Sequence, residues 1–177
     1  MIRMNEQCER EGLRRIAELM CVAARTAPKA SGRDNIVTAI IEDEDERRAL
    51  AERMMLIGEQ AGAPFFTRDA KLVMAAPVVV IVGTRLDRLH IPACNFCGYE
   101  GCEEAEAAGT RCAYNAGDLG IALGSAVACA ADHRADNRIM YTIGRAAVEL
   151  ELLGAQVKIA HGIPLSARGK SIFFDRK

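Results

Sequence analysis

Apolar residues recur at helical spacing in four stretches of the chain, and each stretch predicts a helix. The clearest is the first, in which Leu13, Ile16, Ala17, Met20 and Ala24 fall on one face. The predicted helices cover residues 5–25, 50–61, 114–131 and 139–153.

Shorter runs rich in β-branched residues lie between these helices and predict strands. Residues 35–41 and 156–160 form two of them. The third, residues 77–82, is wholly apolar and ends at Gly83. A continuous apolar run is typical of a strand with helices on both faces, so we expect this strand at the centre of the sheet.

The helix predicted at residues 114–131 is small and apolar nearly all round. Gly117, Gly120 and Gly124 each lower its helix propensity. We therefore expect another group to approach its backbone closely, either a neighbouring helix, a second subunit or a planar cofactor.

Length and composition favour a single domain that spans residues 1–177. Half of the residues are hydrophobic, which is enough for a sizeable core without disulfides. The net charge of -1 leaves no excess of Lys and Arg to bind phosphates, so we expect no nucleic-acid partner.

Two features also argue against export and membrane insertion. The first fifteen residues mix arginine with glutamate and lack the apolar segment of a signal peptide. The most apolar runs, residues 72–83 and 119–131, are shorter than the roughly 20 residues that cross a bilayer. We expect a cytoplasmic protein with no membrane segment.

Seven cysteines in such a chain indicate metal binding or redox chemistry, because cytosolic thiols are kept reduced. Four of them have the spacing C-x2-C-x4-C-x9-C; they are Cys94, Cys97, Cys102 and Cys112. Thiolates are the usual ligands of iron-sulfur clusters, and Gly98 and Gly101 let the backbone bend around one. The spacing alone leaves zinc, or cysteines without a metal, as alternatives.

Cys112 is the expected fourth ligand. Residues 103–108 can form a short helical turn, and Gly109 can then reverse the chain toward the first three cysteines. Cys8, Cys21 and Cys129 fall in predicted helices, where a free cysteine usually packs as a small hydrophobe.

The sequence Asn95-Phe-Cys-Gly-Tyr-Glu-Gly-Cys-Glu resembles the four-cysteine module of corrinoid iron-sulfur and electron-transport proteins, which binds a 4Fe-4S cluster. Nearly the whole chain also resembles a family of uncharacterised prokaryotic proteins described as containing a ferredoxin domain. The resemblance implies that residues 91–113 are an inserted ferredoxin-like segment. The other matching stretches are residues 21–35, 118–128, 136–144 and 162–176.

Residues 23–35, Ala-Ala-Arg-Thr-Ala-Pro-Lys-Ala-Ser-Gly-Arg-Asp-Asn, resemble the segment after the first helix of FMN-dependent nitroreductases. The later helix pair and the run His-Gly-Ile-Pro-Leu at 161–165 do so as well. This resemblance implies an α+β fold, in which helices pack on a nitroreductase-like mixed sheet, and an intertwined dimer with FMN at its interface.

The same resemblance implies which residues would hold the flavin. Lys29, Ser31 and Asn35 would lie nearest to it. Nitroreductases usually carry an arginine-rich phosphate clamp before the first helix, and this chain has no counterpart there. Replacement charge could come from Arg25, Arg33, Arg168 and Lys170.

The apolar tail residues Ile172, Phe173 and Phe174 favour a homodimer, because a free terminus this apolar is expected to pack on a second subunit. The resulting hypothesis is a redox protein with a 4Fe-4S cluster. It would pass electrons to a partner protein or act as an oxidoreductase that reduces a small molecule through a flavin. The alternative is a non-enzymatic interaction domain stabilised by zinc.

Overall fold

The computed structural model describes residues 2–174, which fold into six α-helices, four strands and one short 3-10 helix. In chain order the elements are α1 (Asn5–Thr26), the 3-10 helix (Ala30–Gly32), β1 (Ile36–Ile41), α2 (Glu44–Gln60), α3 (Phe65–Ala75), β2 (Val78–Arg85), α4 (Cys102–Ala107), α5 (Ala113–Asp132), β3 (Asp136–Asn137), α6 (Tyr141–Glu149) and β4 (Val157–Ser166).

The four strands form one sheet in the order β1-β2-β4-β3. All three pairs are antiparallel, whereas the sequence led us to expect a mixed sheet. The α+β class is confirmed. Strand β2 lies between β1 and β4, as its continuous apolar run predicts.

Two hydrophobic cores lie on opposite faces of this sheet, because side chains alternate along β2. Val79 and Ile81 point toward α2, α3 and α6. Val78, Val80 and Val82 point toward α1 and α5. All five are at most 1% exposed, and burying each contributes about 1.5–3 kcal/mol. The strand therefore joins both helical layers.

The acidic turn before α2 acts as a helix cap. The Asp43 carboxylate accepts hydrogen bonds from the backbone N–H groups of Asp45 and Glu46, at 2.9 and 3.0 Å. Acidic residues in a first turn also complement the positive end of the helix dipole. This places Leu50, Met54 and Ile57 on the buried face of α2.

Helix α6 lies directly on the backbone of β4. A Cβ built on Gly144 would stand 1.7 Å from the Ala160 carbonyl oxygen, and one built on Gly162 would stand 2.0 Å from the Ile143 side chain. Only glycine permits this approach at both positions. The contact fixes the position of α6 relative to the sheet.

Helix α5 pairs with α1, and the Ser125 hydroxyl donates to the Ala23 carbonyl at 2.9 Å. Gly117, Gly120 and Gly124 do not face this contact. They are exposed, and a Cβ added at any of them would meet nothing within 4 Å. The expected close approach to these glycines is therefore not made by any of residues 2–174.

Several element boundaries differ from the sequence-based expectations. Helix α3 was not predicted, because its apolar residues run on into those of β2. Helix α6 ends at Glu149 rather than at residue 153, and β4 extends to Ser166 rather than stopping at residue 160. Among residues 2–174, no helix combines the length and the apolar composition needed to cross a membrane.

The apolar tail packs on the chain itself. Phe173 is only 3% exposed, and Ile172 contacts the same core as α2, α3 and α6. The Arg138 guanidinium donates to the Phe173 carbonyl at 3.1 Å and lies over the ring of Phe174. The expectation that all three residues pack on a second subunit is wrong for Ile172 and Phe173. These two side chains pack against the core of the same chain instead.

Candidate metal centre

The four clustered cysteines lie in the connection between β2 and α5. Strand β2 ends at Arg85 and α5 begins at Ala113. Cys94, Cys97, Cys102 and Cys112 all line one cavity in this connection, together with Arg88 and Tyr114. The spacing in the sequence thus brings all four predicted ligands to one place.

Two of the predicted ligands lie at the starts of helices. Cys102 is the first residue of α4, and Cys112 is the N-cap of α5 and is buried. Cys94 and Cys97 come from the irregular chain before α4, where Gly98 has a φ of +80°. A side chain would strain that conformation, so the glycine is what turns the chain after Cys97.

Cys97 and the start of α5 are linked by hydrogen bonds. The Ala113 N–H donates to the Cys97 Sγ at 3.3 Å, and the Cys97 thiol donates to the Arg111 carbonyl at 3.4 Å. An amide N–H directed at a ligand sulfur is a typical interaction around iron-sulfur clusters. The backbone on both sides of Cys112 therefore also contacts Cys97.

The cysteine connection is anchored by Arg88 and Asn115. The Arg88 guanidinium donates to the carbonyls of Ala105, at 3.0 Å, and Thr110. The Asn115 side-chain oxygen accepts from the Asp87 N–H at 3.1 Å, which joins the two ends of the connection. Asn115 is 1% exposed, so this bond is shielded from water.

The chemistry of the donor set is that of an iron-sulfur site, because thiolates are the usual ligands of iron-sulfur iron and four thiols line this one small cavity. Within residues 2–174, no group of three or more His, Cys, Asp and Glu side chains is already arranged to hold a metal ion.

The remaining cysteines lie elsewhere. Cys21 packs against the core under α1, and burial raises the pKa of its thiol despite a hydrogen bond to Thr38. Burial, with the nearby charge of Asp132, also raises the pKa of Cys129. Cys8 is exposed on α1. None of the three lines the cavity.

The predicted flavin residues near α1 form a connected cluster. Arg25 binds Asp34 and donates to the Ile36 carbonyl at 2.8 Å. Lys29 is nearly buried and donates to the last carbonyls of α1, including that of Ala24 at 2.9 Å. These contacts are those of a helix C-cap, so the ammonium group of Lys29 is already engaged.

The remaining candidates in this region are more open to a ligand. Ser31 is exposed, with a φ of +54°, and a buried Nδ2 of Asn35 has no partner among residues 2–174. Arg33 donates to the Arg88 carbonyl at 3.3 Å. The Ala30 N–H donates to the Asp118 carboxylate at 3.2 Å, which ties this segment to α5.

Arg168 and Lys170 lie at the opposite end of the sheet. Arg168 follows β4 and donates to the Ala75 carbonyl at 3.2 Å. The backbone carbonyl of Asn35, by contrast, accepts a hydrogen bond from the N–H of Arg85 at the far end of β2. One chain therefore does not bring the two groups of predicted flavin residues together.

Two further arginines line a cleft with Arg168 and were not predicted. They are Arg10 on α1 and Arg47 on α2. Arg47 is 7% exposed and donates to the Ala76 carbonyl at 2.6 Å. Burial lowers the pKa of Arg47, as does the charge of Arg10. Arg47 lies on the same face of α2 as Leu50 and Met54. This helical spacing can be read from the sequence and indicates that Arg47 is buried.

Two comparisons identify similar sequences. A family model described as "Uncharacterized protein containing a ferredoxin domain (DUF2148)" matches residues 108–176, which include Cys112 but not the other three cavity cysteines. An uncharacterised protein of Archaeoglobus fulgidus is 39% identical, and the alignment covers 99% of this chain and 98% of that protein.

Solved structures with a similar fold include a nitroreductase and a flavoprotein. A nitroreductase with bound FMN from Desulfitobacterium hafniense has a TM-score of 0.60 at 16% identity, over 96% of this chain and 81% of its own. A BluB-like flavoprotein from Clostridium difficile has a TM-score of 0.59 at 17% identity, over 92% and 84%.

B. megaterium NfrA2 has a TM-score of 0.56 at 15% identity, over 88% of this chain. The chain spans only 58% of the length of NfrA2. These likenesses show that the chain has a nitroreductase-like fold.

Proposed function

This chain belongs to the family of uncharacterised proteins that contain a ferredoxin domain, and on that basis we propose that it is a redox protein whose Cys94, Cys97, Cys102 and Cys112 bind one 4Fe-4S cluster. One observation carries the proposal. Four thiols from the start of α4, the N-cap of α5 and the chain before them line a single cavity.

A bound cluster would supply one-electron transfer, and the surrounding residues would set how easily it accepts an electron. The Ala113 N–H would stabilise the reduced state through its bond to Cys97 Sγ. The carboxylates of Glu103, Glu104 and Glu106 would act in the opposite direction, because negative charge near a cluster disfavours reduction. The Arg88 anchor would hold the ligands in place between turnovers.

The cluster could pass electrons to a partner protein or to a flavin. Phe96 stands between Cys94 and Cys97, is 70% exposed and stacks on Tyr114 at 5.2 Å between ring centroids. An exposed aromatic side chain on the cluster segment is suited to contact with a redox partner protein. Electron transfer to such a partner is the simplest form of the proposed function.

Reduction of a small molecule would require FMN in addition. We propose that FMN binds between two copies of the chain, with Arg168 and Lys170 from one and the segment from Arg25 to Asn35 from the other. This arrangement is supported by the separation of the two groups within one chain. It is also supported by the FMN in the Desulfitobacterium hafniense nitroreductase, whose fold the chain shares.

A homodimer would use the outer face of α1 and α5. Leu19 and Val22 on α1 and Ile121 on α5 are exposed by 45%, 58% and 48%, and Ile121 follows the exposed Gly120. A second α5 could approach the exposed glycines of the first α5 closely, which would account for their presence in a helix.

We further propose a cytoplasmic location, where the seven free cysteines would stay reduced. We also propose that the chain is a single domain in which residues 91–113 are an insertion.

Metal and sulfide analysis of anaerobically purified protein tests the cluster directly. We expect about four irons and four sulfides per chain with a brown visible spectrum, as a 4Fe-4S cluster requires. A colourless protein with one zinc per chain would instead support a zinc-stabilised interaction domain. Yellow protein without iron would support a flavoprotein that lacks a cluster.

A further inference from the structure

A second cleft, separate from the cysteine cavity and from the predicted flavin residues, lies between α6 and the first half of β4, which β3 does not pair with. Its volume is about 520 Å³. Ligand pockets for small molecules usually have volumes of roughly 300–1,000 Å³. The cleft is therefore large enough for a small molecule.

Positive charge dominates its wall. Arg111, Arg145 and Lys158 line the cleft, and no Asp or Glu lines it. Arg145 pairs with Glu149, which also binds Arg53, so that group of three side chains retains a net positive charge. Among residues 2–174, Arg111 and Lys158 have no acidic partner. Such a concave cationic wall attracts anions.

Neutral hydrogen-bonding groups complete the cleft. Tyr141 lines it and is about half exposed, and His161 lines it from β4. The His161 Nδ1 is buried and has no partner among the described residues. Buried polar atoms in proteins are usually hydrogen-bonded, so an unpaired ring nitrogen on a residue of the cleft lining is unusual. The first turn of α6 also borders the cleft, so the positive end of its dipole adds to the charge.

The floor of the cleft is tightly packed. It is the contact between α6 and β4, where Gly144 lies against the Ala160 carbonyl without room for a side chain. Arg145 and Lys158 project from these two packed elements. Arg111 comes from the cysteine segment, and its carbonyl contacts the Cys97 thiol. One cation of the cleft is thus part of the chain that surrounds the proposed cluster.

We propose that this cleft binds a small molecule that carries a phosphate group, and that Arg111 holds this ligand beside the cysteine segment. Two guanidinium groups, an ammonium group and a phenol suit a phosphate dianion, since guanidinium groups bind phosphate through paired hydrogen bonds. Binding at this cleft does not require the cluster. Only the consequence of its position, a ligand within reach of the redox centre, rests on the proposed function.

Inorganic pyrophosphate is a suitable probe, and titration calorimetry of the purified full chain at low salt measures its binding. We expect saturable binding that weakens as the salt concentration rises. Lys158→Gln and Arg111→Gln should each weaken it by about tenfold. Lys71→Gln is the matched control, because Lys71 is an exposed lysine on α3 outside the cleft. It should leave the affinity unchanged.

Three results would overturn the inference. One is the absence of saturable binding at millimolar pyrophosphate, and another is an equal loss in the Lys71 and Lys158 variants. The third is tighter binding of a polyglutamate peptide or of citrate, which would assign the cleft to an acidic protein or a carboxylate ligand. If pyrophosphate binds as expected but the anaerobically purified protein contains no iron, the cleft proposal stands and the cluster proposal fails by itself.

Discussion

The backbone N–H of Ala113 lies 3.3 Å from the Sγ of Cys97, so the first residue of α5 donates a hydrogen bond to a proposed cluster ligand. The donor is part of a helix that packs in the core below the sheet. The position of the sulfur is therefore coupled to a helix whose buried face packs in the core, and the strength of this bond can be changed without altering any of the four cysteines.

Replacing Ala113 by proline removes this N–H while leaving the helix intact. Position 113 follows the N-cap, where proline is well tolerated, and Cys112 before it already has an extended conformation. A sulfur that loses a hydrogen bond becomes more electron-rich, so we expect the reduction potential of the cluster to fall by on the order of tens of millivolts.

Protein-film voltammetry measures this change. Ala113→Gly keeps the N–H and serves as the control, with an expected potential close to that of the wild type. An unchanged potential in the proline variant with full iron content would show that the bond does not act on a cluster.

Cys112 is expected to be the fourth ligand. Cys112→Ser should lose iron or leave a three-iron cluster, because only Cys112 joins the other three thiols in the cavity. Cys129→Ser is the matched control, since Cys129 lies near the end of α5, away from the cavity. Iron and sulfide analysis of both variants shows which of the two cysteines the cluster requires. Iron retained without Cys112 but lost without Cys129 would reverse the assignment.

The proposed flavin site should require two subunits. Arg168→Gln removes charge from one half, and Ser31→Asp places a negative charge in the other, at a left-handed position that Asp tolerates. Each variant alone should lose the stabilisation of about 2.7 kcal/mol that a ligand gives at a hundredfold excess over its Kd.

Mixing the two variants after dissociation and reassociation should restore FMN binding to about half of the sites in the mixed dimers. This follows because each mixed dimer contains one site with both changes and one with neither. Thermal unfolding with and without FMN measures the outcome. No recovery in the mixture would place the whole site within one subunit, and no effect of FMN on the wild type would exclude the site.

Stability should depend on the protonation of His161. Burial lowers the pKa of His161 below its ordinary value of 6.5. The unfolded chain therefore binds the proton first as the pH falls, and the folded state loses stability from about that value downward, until the pH reaches the lower pKa of the folded state. Urea unfolding of the wild type and of His161→Asn between pH 7 and 5 should show a smaller decline in the variant. Parallel declines would contradict the burial of this side chain.

Gly144 should be intolerant of any side chain. Gly144→Ala would place a methyl group against the Ala160 carbonyl, so we expect a loss of at least about 3 kcal/mol or failure to fold. Gly12→Ala, in α1 with open space around it, should instead gain about 1 kcal/mol through helix propensity. Chemical denaturation of both variants gives the comparison, and equal stabilities would mean that α6 does not lie on β4.

The sequence predicts the parts of the fold that depend on local periodicity. The burial of β2 follows from its unbroken apolar run, and the bounds of α1 and α5 are within two residues of those expected. Helix α3 also has a helical pattern, since Phe66, Ala70 and Val73 form its buried face. Its pattern was obscured because Ala75 and Ala76 continue it into the strand.

Contacts between distant segments could not be predicted in the same way. Spacing groups the four cysteines, but nothing local indicates that Arg88 anchors the carbonyls of Ala105 and Thr110. Hydrophobicity likewise shows that Phe173 must be buried without showing by which surface. The cationic cleft is of this kind too, since the packing of α6 on β4 brings Arg145 and Lys158 together, and Arg111 joins them from the cysteine segment.

The hydrogen bond between the Asp87 N–H and the Asn115 side chain closes the cysteine segment at its base, so both ends of that segment leave the sheet layer at nearly the same point. The two cores are built from other residues, and their packing does not depend on what the closed segment contains. The protein could therefore reach a folded state before any iron arrives, and cluster assembly would be a late maturation step on a finished scaffold. A cell that is short of iron would then accumulate a folded, repairable apoprotein rather than an aggregate.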